Sequence, residues 1–173
     1  MSHPQAPRGL KAVAITVSDR TSDGTREDES GRLLLEALQQ LGYDVAEPVV
    51  VPDGVDTVAG ALRDAVRQRA RLVVTTGGTG MGPRDLTPEG TREVLTRENP
   101  GLAELIRREG CRHTPYAAVS RGLAGVVDWP EEQGYGGTLV INLPGRPAAV
   151  REGMDIVGPL LGHVLDQVSG GDH

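Results

Sequence analysis

Apolar residues in this chain fall into short β-branched runs that alternate with stretches of helical spacing. Lys11 to Val17 reads as a buried strand, with Val13, Ile15 and Val17 β-branched. A polar loop, Ser18 to Asp28, follows it. Ser30 is placed to cap a helix in which Leu33, Leu34, Ala37, Leu38 and Leu41 share one face, and Gly42 ends it. Tyr43 to Val51 predicts a second strand, which Pro52-Asp53-Gly54 breaks. A second amphipathic helix then carries Val58, Ala61, Leu62, Ala65 and Val66. Arg71 to Thr76 is a third strand, running straight into Gly77-Gly78-Thr79-Gly80. Thr87-Pro88-Glu89 reads as an N-cap followed by proline in the first turn, and Asn99-Pro100-Gly101 repeats the arrangement. Thr138 to Leu143 is a further apolar strand, halted by Pro144-Gly145. The last helix spans about Pro147 to Val168.

Strands alternating with helices of this length predict βαβ units, hence a parallel sheet covered on both faces. The expected architecture is one α/β domain over 11–168, a three-layer α/β/α sandwich with a mostly parallel central sheet. Residues 1–10 and 169–173 are expected to be disordered tails. In such sheets ligands bind at the carboxyl ends of the strands.

Composition narrows the function classes. A chain of 173 residues is one ordinary domain. Aromatics make up 2%, which disfavours a protein that stacks single-stranded bases. The net charge of −6 also argues against nucleic acid as a partner. A single cysteine, Cys111, excludes a disulfide framework and a thiolate zinc site. The histidines show no ligand spacing. No apolar run suits a signal peptide or a membrane span, so the expected location is cytoplasmic. Lys11 is the only lysine among 18 basic residues, and arginine forks suit phosphate.

Four loops combine small residues with a charge beside a strand end: Ser18-Asp19-Arg20, Pro52-Asp53-Gly54, Gly77 to Asp85, and Asn142 to Pro147. A fifth, Ser120-Arg121-Gly122, lies in a stretch whose secondary structure the pattern does not assign. Amides of the glycine loop can converge on an anion, because no Cβ stands in the way. The loop is neither a P-loop, since no Lys-Ser/Thr closes it, nor a dinucleotide fingerprint, since Pro83 stands where glycine is needed. It could equally be a tight turn. Asp85 suits a divalent-cation ligand beside phosphate or a helix cap, and Asp53 suits a cation ligand or a plain turn. Arg20, Arg84, Arg121 and Arg146 either converge on one positive pocket or sit solvated. These residues point to a nucleotide or a phosphorylated small molecule, without naming a reaction.

Taken together the loops resemble a known family. Thr75-Thr76-Gly77-Gly78-Thr79-Gly80-Met81-Gly82-Pro83-Arg84-Asp85-Leu86-Thr87-Pro88-Glu89 is similar to the signature of the MogA/MoaB family of molybdenum cofactor biosynthesis proteins. Ser18-Asp19-Arg20, Asp28-x-Ser30-Gly31, Ser120-Arg121-Gly122-x-Ala124-Gly125 and Leu143-Pro144-Gly145-x-Pro147 fall in the family's order. The match runs from about Lys11 to Val168.

The resemblance implies a trimer or hexamer that uses ATP and Mg2+ to adenylylate the terminal phosphate of molybdopterin, releasing pyrophosphate. The product would pass to a molybdate-inserting enzyme. It implies that Asp53 and Asp85 are the catalytic, metal-holding pair. It also places Ser18, Asp19, Gly77, Gly78, Thr79, Gly80, Arg84, Ser120, Arg121, Asn142, Pro144 and Gly145 at the substrates. A non-catalytic molybdopterin carrier of the same family is the alternative, and retention of both aspartates favours the enzyme. Val127 to Gly137 departs from the family's shorter link. It is expected to form a longer surface loop, which leaves the substrate-rim geometry there open.

Overall fold

The computed structural model describes residues 8–171, so most of the expected N-terminal tail (1–7) and the last two residues (172–173) lie outside the described residues. Its strands are β1 (Lys11–Val17), β2 (Asp44–Val45), β3 (Val49–Val51), β4 (Leu72–Thr76), β5 (Arg97–Glu98), β6 (Ala124–Asp128) and β7 (Gly137–Leu143). The helices are α1 (Asp19–Ser22), α2 (Glu29–Gln40), α3 (Val55–Arg67), α4 (Thr87–Arg92), α5 (Pro100–Gly110) and α6 (Pro147–Val168). One sheet joins the strands in the order β2-β1-β4-β7-β6-β5, with β3 also pairing β1. The ladders from β2 and β3 through β1 and β4 to β7 are parallel, while β6 and β5 run antiparallel.

Period-two alternation divides the central strands between two cores. On β4, Leu72 and Val74 face one side and Val73 the other; on β7, Leu139, Ile141 and Leu143 oppose Val140. Leu34 and Leu38 of α2, Leu102 and Ile106 of α5, and Val157 and Leu161 of α6 cover the first side. Val58, Leu62 and Ala65 of α3 cover the second. This is the expected α/β/α sandwich. Each fully buried leucine contributes about 1.5–3 kcal/mol relative to exposure.

Several local expectations are corrected. The strand predicted over Tyr43 to Val51 splits into β2 and β3 around Pro48, which has no N–H for the ladder. Asp28, not Ser30, caps α2: its carboxylate accepts from Gly31 N at 2.9 Å, and Ser30 Oγ instead donates to Gly145 O at 2.7 Å. Thr87 does not cap α4, because its hydroxyl is buried and donates to Gly77 O at 2.8 Å. The stretch from Val127 to Gly137 is not one long loop. Val127 and Asp128 complete β6, and only residues 129–136 connect it to β7.

Parallel pairing explains why the candidate loops meet. The chain leaves β1, β3, β4 and β7 at the same sheet edge, delivering Ser18, Pro52, Gly77 and Pro144 side by side. Because β6 is antiparallel, the chain enters it at that edge, which brings Ser120 and Arg121 to the same place. The 129–136 connection lies at the opposite edge.

Candidate functional site

Two adjoining clefts open at the carboxyl edge of the sheet. The larger, about 910 Å³, is walled by the loops after β1, β3, β4 and β7 and by the start of α2. Ser18, Asp19, Asp53, Gly77, Gly78, Asp85 and Gly145 all line it. The smaller, about 340 Å³, is lined by Thr79, Gly80, Ser120 and Pro144 together with the apolar Ile106, Ala117, Val119, Ala149 and Ile156. Gly78, Asp85, Gly145 and Arg146 border both.

The glycine loop forms the partition. Gly77 has φ +99°, and a Cβ there would lie 2.2 Å from Val17 O; Gly78 has φ +67°, and its Cβ would meet Thr87 Oγ1 at 2.2 Å. Both positions require glycine for backbone and for space. Gly77 N donates to Leu143 O at 3.1 Å, which ties the loop to β7. Among the described residues no protein acceptor takes the N–H groups of Gly78, Thr79 and Gly80. These amides are available to an anion.

An aspartate stands on each side of this loop. A Cβ on Gly78 would lie 3.0 Å from Asp53 Oδ1, and one on Gly80 would lie 2.8 Å from Asp85 Oδ2. Asp53 is locked to Asp19 by reciprocal bonds: Asp19 N donates to Asp53 Oδ2 at 3.0 Å and Asp53 N to Asp19 Oδ1 at 3.1 Å. Burial, followed by the charges of Asp19 and Asp85, raises the Asp53 carboxyl above its ordinary range despite the Asp19 amide. Asp19 moves the other way, held low by the Arg84 guanidinium. Asp85 Oδ2 accepts from Gly82 N at 3.0 Å.

This donor set has a definite chemistry. Two carboxylates that repel each other, with no imidazole or thiolate beside them, suit a hard divalent cation whose shell is completed by phosphate oxygens and water. Among the described residues no group of three or more His, Cys, Asp or Glu side chains gathers as a self-sufficient metal cage. Asp53 and Asp85 thus have the donor chemistry for a hard divalent cation.

The arginines divide. Arg20 and Arg146 line the larger cleft, joined by Arg26 and Arg32, which the sequence reading missed. Their signal was the charge flanking Asp28-x-Ser30-Gly31 at the start of α2. Arg84 and Arg121 line neither cleft and are engaged in bonds among the loops. Four arginines in one pocket is corrected to two of those four. Asn142, expected at substrate, is buried. Its amide donates to Thr75 Oγ1 and Thr91 Oγ1 at 3.0 and 3.1 Å, and its carbonyl accepts from Leu123 N at 3.0 Å, so it belongs to the frame. The apolar wall of the smaller cleft was also missed, because residues such as Ile156 read as ordinary core.

Comparison with known proteins agrees with this geometry. A family profile described as "Probable molybdopterin binding domain" matches residues 13–163. A protein of Pyrococcus furiosus named molybdopterin adenylyltransferase is 36% identical over 162 residues, covering 93% of this chain and 92% of its own. The molybdenum cofactor synthesis protein cinnamon of Drosophila melanogaster is 39% identical over 87% of this chain, which spans only 24% of that protein. The solved structure of the molybdopterin biosynthesis Mog protein from Mycobacterium ulcerans superposes with a TM-score of 0.83 at 42% identity, covering 92% of this chain and 99% of its own. Among the described residues no helix is long and apolar enough to cross a membrane.

Proposed function

The chain belongs to the MogA/MoaB family of molybdenum cofactor biosynthesis proteins, and on that premise we propose that it is a molybdopterin adenylyltransferase. The terminal phosphate of molybdopterin attacks the α-phosphorus of ATP; a P–O bond forms there, the bond to the β-phosphate breaks, and pyrophosphate leaves. The observation that carries this reading is the pair Asp53 and Asp85 on either side of a loop whose Gly78, Thr79 and Gly80 amides have no protein acceptor among the described residues.

The residues act on a problem of repulsion. Two phosphorylated substrates must meet although both are anionic. The free amides offer fixed dipoles to phosphate oxygens, and Arg20 and Arg146 offset charge in the larger cleft. Magnesium held by Asp53 and Asp85 would supply charge neutralisation at the reacting phosphates when bound. Holding both substrates across one partition converts a bimolecular encounter into an oriented one. No side chain is needed as a covalent nucleophile. The apolar smaller cleft suits a flat ring system, and the larger polar cleft suits the polyphosphate.

Family membership further supports a cytoplasmic homotrimer or hexamer that passes its product to a molybdate-inserting enzyme. Incubation with molybdopterin, ATP and Mg2+ tests the activity. Adenylylated pterin should accumulate with turnover. Pterin binding without any nucleotide transfer would favour a carrier instead.

A further inference from the structure

The two aspartates share an arrangement that extends beyond their own side chains. Arg84 Nη2 donates to the main-chain carbonyl of Asp53 at 2.9 Å. Arg121 Nη2 donates to the main-chain carbonyl of Asp85 at 2.6 Å. Each guanidinium is matched to a carboxylate from another loop or helix. Arg84 forks onto Asp19, Nε to Oδ2 at 3.0 Å and Nη2 to Oδ1 at 2.9 Å, while Arg121 pairs with Glu89 at the first turn of α4. Arg121 also donates from Nε to Gly80 O at 2.9 Å, and its own N–H donates to Thr79 O at 2.8 Å.

We propose that Arg84 with Asp19, and Arg121 with Glu89, are positioning pairs that fix Asp53 and Asp85 against each other across the glycine loop, and that neither arginine is a phosphate ligand. The physical need is plain. Two like-charged carboxylates repel, and each sits on a short loop; Asp53 is also partly withdrawn from water. A guanidinium gripping the main chain resists that spreading without neutralising the side chain, whose oxygens stay available to a cation. The planar fork is essential to this role, since a lysine keeps the charge but cannot bond two or three acceptors in one plane. The guanidiniums are also engaged within the protein: Arg84 commits Nε and Nη2 to Asp19 and the Asp53 carbonyl, and Arg121 bonds Glu89 and two loop carbonyls.

The proposal rests on the nucleotidyl-transfer reading, and its test separates the two. ATP affinity is measured by titration calorimetry with and without Mg2+, on the full chain and on Arg84→Lys and Glu89→Gln, with melting curves confirming that each variant folds. The wild type should bind ATP more tightly when Mg2+ is present. In both variants that metal-dependent gain should shrink on the order of tenfold, while metal-free ATP affinity stays as in the wild type. An unchanged gain in both folded variants would overturn the braces and leave the transfer reading standing. Loss of metal-free affinity in Arg84→Lys would also overturn them, by making that arginine a phosphate ligand. Absence of any gain in the wild type would overturn the transfer reading and the braces together. Should one variant fail to fold, the other arm gives the same readout.

Discussion

Strand β7 is buried along its whole length, yet its two ends meet different surroundings. At the amino end the Arg69 and Arg71 guanidiniums stand over the Trp129 ring, 4.7 and 5.4 Å from its centroid. Trp129 Nε1 donates to Thr138 Oγ1 at 3.1 Å, and that hydroxyl donates to Ala70 O at 2.6 Å. Arg71 adds bonds to Gly137 O at 3.2 Å and Leu165 O at 3.1 Å. At the carboxyl end, β7 opens through Pro144-Gly145 into two clefts, and the arginines nearby face carboxylates and carbonyls of separate loops. Guanidinium chemistry closes one end and frames an opening at the other. The closed end stabilises; the open end keeps two like charges on either side of the glycine loop.

The sharpest break of this contrast comes from the open end. Asp85→Asn should lower kcat by about 10²–10³-fold, the size of losing one electrostatic stabiliser, while the melting temperature stays put. Steady-state rates and melting curves on the same preparation check this.

Asp53→Asn should lose activity comparably but behave differently in stability. Because burial and neighbouring charge raise its folded-state pKa, the protonated form of Asp53 favours folding. That contribution is fully present below the unfolded pKa and is lost as pH rises through the folded one. Asparagine removes the loss, so the variant should melt no lower than the wild type at neutral pH and show a flatter profile across the acidic range. Thermal melts from acid to neutral pH test the sign.

The closed end gives the converse. Trp129→Ala should destabilise by about 2 kcal/mol, less than a fully buried tryptophan because the ring is only half-buried. The kcat at saturating substrate should be unchanged, as measured by denaturant unfolding alongside turnover. A smaller effect is expected at Gly80. Its φ is not in the left-handed region, so Gly80→Ala meets no backbone strain, only the Asp85 carboxylate at 2.8 Å. Affinity for ATP should fall about tenfold with a melting-temperature change of a few degrees. Intact affinity would mean that the loop only turns the chain.

What was legible in the sequence follows from how local the signal is. β1, β4 and β7 announced themselves as β-branched runs, and their common direction followed from the helices between them. β5 is two residues long, and β6 contains Gly125 with Arg97 O only 2.4 Å from where a Cβ would lie, so neither offered a pattern. Asp53 and Asp85 stood out because short motifs surround them. The work of Arg84 and Arg121 could not be read that way: Arg84's partners lie 31 and 65 residues away and Arg121's side-chain partners 32–41, and the geometry exists only once the loops meet at one sheet edge. Asn142 misled for the same reason, since its position near Pro144-Gly145 carried no sign that Thr75 and Thr91 consume its amide.

The central claim is nucleotidyl transfer at the clefts beside Asp53 and Asp85, and it is tested most directly by following the label from ATP. With molybdopterin, Mg2+ and ATP labelled at the α-phosphorus, the label should appear in the pterin product, one equivalent of pyrophosphate should be released for each, and Asp85→Asn should slow both by about 10²–10³-fold. Label reaching the pterin only from γ-labelled ATP would mean phosphoryl transfer, and no label from either position would mean a carrier; each result would contradict the account.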